Sequence, residues 1–163
     1  MILKFIYTVF IGVLFATLVG VGIAAFYPQP KHPDYPIRLS YPKEPALQTE
    51  TDRQTLIKEQ EAYEKKSKEF QEKNQLYNRN VSIIAIVFAI AALVVSLTFL
   101  KTLLMIADGL LLGGLLTLLY SIIRGFETQD NMFRFIVVAI GFVVAVAVGY
   151  IKFTKPVQSK PSK

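Results

Sequence analysis

The sequence predicts an all-α integral membrane protein: a four-helix transmembrane bundle with an extramembrane polyproline II–α-helix hairpin continuous with the second transmembrane helix. Three observations predict it. Four apolar stretches, at residues 5–26, 81–100, 102–123 and 132–151, are each long enough to cross a hydrocarbon core that takes about 20 helical residues. Pro30, Pro33, Pro36, Pro42 and Pro45 stand multiples of three residues apart, with Tyr27 and Leu39 on the same register, and a polyproline II helix turns once every three residues. Between Ala46 and Ala107 there is neither glycine nor proline, and Leu56, Tyr63, Phe70 and Tyr77 recur every seventh residue as a narrow apolar seam.

Composition agrees. With 53% hydrophobic residues in a chain of 163, too little polar surface is left for a soluble domain of this size. The first span, within residues 1–26, opens on Lys4 and contains Gly22-Ile23-Ala24, the spacing of a signal cleavage site. Its apolar run exceeds the roughly 7–15 residues of a signal core, so an uncleaved anchor is expected.

Residues 27–45 are read as the polyproline arm and 46–80 as an amphipathic, charged helix. At ~3.1 Å per residue the arm spans about 56 Å, and the helix back to Arg79, at ~1.5 Å per residue, about 50 Å. Two arms of equal reach suit a hairpin. Flat rings of Tyr63, Phe70 and Tyr77 lie well against pyrrolidine rings, whereas the intervening Gln60, Ser67 and Asn74 disfavour a parallel coiled coil, which wants aliphatic residues there. The arrangement of Tyr27 to Arg79 resembles, in architecture only, the polyproline–helix hairpin of the pancreatic polypeptide family, without any motif of that family's receptor-binding end.

Glu61 with Lys65, Glu64 with Lys68 and Glu69 with Lys73 are spaced i,i+4 in the favourable order. Thr51 and Gln54 have capping-box spacing, with Glu50 and Asp52 placed for a helix start. On the side away from the seam, Lys58, Lys65 and Glu72 form a candidate partner face; a plain solvated face is the alternative.

The second and third spans, 81–100 and 102–123, meet near Lys101, although Asp108-Gly109 is the better turn by chemistry. A turn at Lys101 gives two spans of ordinary length and puts Asp108 inside the third. Its partners there would be Lys101, Thr102 or Thr117. Arg124 and Gly125 read as a helix end, Asp130 or Asn131 as the cap of the fourth span, 131–151, and Asp130 with Arg134 as an interfacial pair. Small residues recur on every span: Gly12, Ala16, Gly20 and Ala24; Ser82, Ala85, Ala89, Ala92 and Ser96; Gly109, Gly113, Thr117, Ser121 and Gly125; Gly141, Ala145 and Gly149. Helices in lipid associate by close backbone approach, which small residues permit, so a tight bundle is expected.

With four spans the termini share a side. The tail, 152–163, has Lys152, Lys155, Lys160 and Lys163 and no acid; with Lys4 and Lys101 it marks a cytoplasmic face drawn to anionic lipid, and the hairpin is expected outside, in a plasma (inner) membrane. A count of Lys and Arg alone, both abundant in the hairpin but interleaved there with acids, gives the opposite orientation. The net charge of +6 comes mainly from these flanking lysines and does not suggest nucleic acid. No cysteine is present, His32 is the only histidine, and no catalytic constellation, metal-ligand set or cofactor motif stands out, so an enzyme is not expected. The functional expectation is a docking or scaffold protein that works through its hairpin, with membrane lipid and protein partners or further copies of itself around it. The alternative is a small transporter or channel-type subunit using Asp108, since an acid within a span is a functional candidate by default.

Overall fold

A computed structural model describes residues 2–40, 49–98 and 103–154. These residues form helices and connecting segments, with no strand among them: α1 (Ile2–Phe26), α2 (Ile37–Ser40), α3 (Glu50–Thr98), α4 (Leu104–Phe126) and α5 (Asn131–Thr154). Four of the helices are long and apolar enough to cross a membrane. The chain divides into two units, one of Met1–Pro28 with Asn78–Lys163 and one of Gln29–Tyr77. Pro42 and Pro45, Lys101 and Thr102, and Lys155, Lys160 and Lys163 lie outside the described residues.

The first unit is a helical bundle arranged around α4. Gly109 stands against Ile11 and the Thr8 carbonyl, and Gly113 against Gly12 and Phe15, so α1 and α4 run in the same direction. On the α3 side Ser96 is bonded to Ala107, Gly114 meets Leu93 and Ala89, and Ser82 meets Ser121. Val137 packs at Gly125, and Gly141 against Ile122 and Leu118, so α3 and α5 both run antiparallel to α4. Helix starts and ends alternate, which brings the beginnings of α1 and α4 to the same end as the ends of α3 and α5. Ile86, Ala89, Leu118 and Val137 form the buried core, with Ile122, Phe133 and Val144 packed on it.

Hydroxyls add directional bonds to this packing. Ser82 Oγ donates to the Ser121 carbonyl at 2.9 Å and Ser121 Oγ donates to the Ser82 carbonyl at 2.8 Å, a reciprocal clasp with both residues fully buried. Higher up, Ser96 Oγ donates to the Ala107 carbonyl at 2.6 Å. Bonds of this kind contribute roughly 0.6 kcal/mol each on average in a membrane. They also satisfy groups that hydrocarbon would leave stranded.

Small-residue spacing holds on two helices and drifts on two. All five residues of the α3 set and all five of the α4 set are buried. On α1, by contrast, Gly20 has nothing within 4 Å of an added Cβ and Ala24 is exposed; the buried positions are Gly12, Val19 and Ile23. On α5, Ala145 is exposed and Gly149 is open, and the face turned inward is Val137, Gly141 and Val148 with Val144 half-buried.

The helix ends differ in detail from expectation. Helix α3 starts two residues earlier than the Thr51–Gln54 box: Asp52 N–H donates to Thr49 Oγ1 at 3.3 Å, and Thr49 N–H returns a bond to Asp52 Oδ2 at 3.2 Å. Gly125 is not a left-handed cap, since no glycine has positive φ among the described residues; it lies inside α4, where a Cβ would come within 3.2 Å of Val137 and 3.3 Å of Ser82 Oγ. Asp130 caps α5 by accepting from Met132 N–H at 2.9 Å and Phe133 N–H at 3.2 Å. That leaves Arg134 to donate to Asn131 Oδ1 at 3.3 Å rather than to pair with Asp130.

In the second unit, residues 29–36 have no regular secondary structure, and α2 follows after Pro36, whose carbonyl accepts from Leu39 N–H at 3.0 Å. Leu39, expected on extended chain, therefore sits in a helical turn. Proline is absent from 37–40, so nothing there blocks the turn, and proline is tolerated at a helix start. Tyr27, expected on the hairpin seam, belongs to the bundle unit: its N–H donates to the Ile23 carbonyl at 2.8 Å, and its hydroxyl accepts from Asn80 Nδ2 at 2.9 Å.

Candidate functional sites

Two places hold the side chains singled out in the sequence. In the second unit they lie along residues 29–39 and the first half of α3. Pro30, Pro33, Pro36 and Leu39 are half-buried, every third residue in turn, while the positions between them whose side chains are described are exposed. Gln29 Nε2 donates to Asn74 Oδ1 at 3.3 Å, the His32 ring meets Phe70 with centroids 4.8 Å apart, and the Tyr35 ring meets Tyr63 edge-on at 5.0 Å. As the segment ascends, its partners descend α3, so the two run antiparallel.

The ring contacts fall on His32 and Tyr35, each the residue before a proline of the expected register. Aromatic edges and faces pair through their opposite partial charges, which a pyrrolidine ring does not offer. On α3, Leu56, Tyr63, Ser67, Phe70 and Asn74 are half-buried and Tyr77 is buried. Gln60 departs from the seam; it is exposed and donates to Glu64 Oε1 at 3.0 Å, and half-buried Glu59 occupies that level of the seam instead. Steps of four and three from Asp52 through Leu56, Glu59 and Tyr63 keep one face in line, whereas a further step of four at Gln60 swings about 40° off it. Lys58, Lys65 and Glu72 are all exposed.

The second place is Asp108. It lies in the second turn of α4, and its Oδ1 accepts from Lys152 Nζ in the last turn of α5 at 2.5 Å, with side chains 46% and 39% exposed. Lys152 was not among the partners expected. Counting outward from the α4–α5 loop would have found it, because an antiparallel hairpin brings together residues nearly equidistant from its turn. The neighbouring glycine serves packing rather than a turn: a Cβ on Gly109 would stand 2.8 Å from Ile11.

At the opposite end of the bundle a polar cluster went unforeseen. Arg124 donates to Asn78 Oδ1 at 3.2 Å, to Glu127 at 2.9 Å and to the Tyr120 hydroxyl at 3.2 Å. Among the described residues no group of His, Cys, Asp and Glu is arranged to hold a metal ion. Comparison with protein families, with characterised proteins and with solved structures finds no match for this chain.

Proposed function

We propose that this is a multi-pass membrane protein whose second unit is a rigid hairpin that docks a protein partner. The observation that carries the reading is the antiparallel contact series Gln29–Asn74, His32–Phe70 and Tyr35–Tyr63. Six residues of the arm keep pace with eleven of α3, which at ~1.5 Å per helical residue is about 16.5 Å. That is roughly 2.75 Å per arm residue, near the ~3.1 Å of polyproline II and well above a helix. Half-burial of Pro30, Pro33 and Pro36 at the three-residue period supports the same conformation.

A prepaid arm of this kind loses little entropy when something binds to it. Lys58, Lys65 and Glu72 are two residues on from Leu56, Tyr63 and Phe70, hence about 200° around α3 from the seam, and stay in solvent. They form the docking face. The lysines flanking the spans put the termini in the cytoplasm of a plasma-membrane topology and the hairpin outside.

Asp108 acts as a clasp between α4 and α5. No Asp, Glu, Lys, Arg or His occurs at 5–26, 81–100, 109–123 or 135–151, so its carboxylate has no relay partner deeper in the bundle, and it already holds a lysine. The deciding experiment is photo-crosslinking in cells from positions 58, 65 and 72, with mass spectrometry of the adducts. A discrete heterologous protein supports docking; adducts to further copies of the chain point to self-assembly, and no adducts from any position overturn the docking face.

A further inference from the structure

Where α1 and α4 approach most closely at glycines, Thr8, Ile11, Gly12 and Phe15 stand against Gly109, Leu112 and Gly113. Toward the starts of the two helices the small residues stop and large ones take over. There an open groove of about 960 Å³ lies between Leu3, Ile6, Tyr7 and Phe10 of α1 and Leu103–Ile106 at the start of α4, with Lys4 as the one charged residue among its described lining residues.

Among the described residues no acid pairs with Lys4. The acid nearest in sequence to the groove wall, Asp108, is held by Lys152, and the terminal segment after Thr154 contains no Asp or Glu. An apolar trough whose rim carries an uncompensated ammonium complements a molecule with one negative headgroup on a hydrocarbon chain. A lysine at a helix start can extend its amine toward the headgroup level while its stem covers apolar surface.

We infer that this groove is a binding site for an anionic phospholipid, with an acyl chain along Leu3, Ile6 and Phe10 and the phosphate at Lys4. It rests on the membrane reading of the bundle and not on the docking role of the hairpin. Basic residues near the membrane surface attract acidic lipid in general; the groove adds a fixed place for one molecule.

Native mass spectrometry of the full-length protein, released from detergent with phosphatidylglycerol or with phosphatidylcholine of the same chains, tests it. Expected is one retained phosphatidylglycerol, preferred over phosphatidylcholine by about fivefold, the scale of one surface lysine. Lys4→Gln should abolish the preference, Lys4→Arg should keep it, and Lys31→Gln, which does not line the groove, should leave it unchanged. Ile6→Trp, which fills the trough, should lower retention of both lipids. Equal retention of the two lipids by the wild type, a preference that survives Lys4→Gln, or displacement of the lipid by inorganic phosphate would each overturn the assignment.

Discussion

In the bundle the closest helix contacts are made by the smallest side chains, while in the second unit the contacts are made by aromatic rings. Gly109, Gly113 and Gly114 let α4 come so near its neighbours that an added Cβ would fall 2.8 to 3.0 Å from another side chain or carbonyl. Along the first half of α3, by contrast, Tyr63 and Phe70 reach out to Tyr35 and His32 over ring separations near 5 Å. The proposed placement of the second unit outside the membrane accounts for the difference. Lipid is as apolar as leucine, so burying a large side chain in a membrane gains little and close approach with dispersion decides. In water, apolar area removed from solvent is the main gain, at about 25 cal/mol per Å², and large rings supply it.

Substitutions at the two kinds of contact should therefore fail in opposite ways. Gly109→Leu should produce the largest effect, since the new side chain meets Ile11 and the Thr8 carbonyl with no room to yield; a loss of about 1–3 kcal/mol or more is expected. Thermal unfolding in detergent measures it, and Gly20→Leu, where nothing stands within 4 Å, should change the midpoint little. Next comes Tyr63→Ala with Phe70→Ala, which removes both ring partners of the arm. Residues 29–40 should then be cleaved by added protease at least about tenfold faster, from the loss of roughly 1.5–3 kcal/mol per ring scaled down for half-burial, while the spans stay inserted.

Ser82→Ala with Ser121→Ala should cost about 1 kcal/mol of bundle stability, the sum of two modest hydrogen bonds, readable in the same detergent melt. The smallest effect belongs to Asp108→Asn. Both partners of its ion pair are more than a third exposed, so solvent screening holds the loss to about 0–1 kcal/mol. Proton flux in liposomes should match the wild type; flux abolished by the substitution would restore the transport reading.

The four apolar helices were legible because long apolar runs leave few alternatives. The drifting stripes were not. Residues four apart advance about 400° around a helix, so each step slips roughly 40° off the starting face. On α4 that slip is harmless: Gly109 and Gly113 face α1, and the same row, having rotated, presents Ser121 to α3 and Gly125 to α5. On α1 the row runs off, at Gly20 and Ala24, and on α5 at Ala145 and Gly149, because no described neighbour waits on the side toward which it turns. Steps alternating between three and four, as from Ser82 to Ser96, correct the drift and stay buried throughout. The partner of Asp108 was missed for a related reason: Lys152 is 44 residues away, and only the antiparallel course of α4 and α5 brings the two together.

The chain's lack of cysteine makes one measurement decisive for the hairpin. Gln29→Cys with Asn74→Cys, in otherwise native protein in its membrane, should be joined by a short thiol-to-thiol crosslinker, because the ends of the native side chains meet at 3.3 Å and the shorter cysteines leave a gap for the reagent to span. Gln29→Cys with Glu72→Cys, on the exposed side of α3, should be joined little. Efficient crosslinking of the first pair alone is the result expected of an arm laid along the seam; equal crosslinking of both pairs, or of neither, would contradict it.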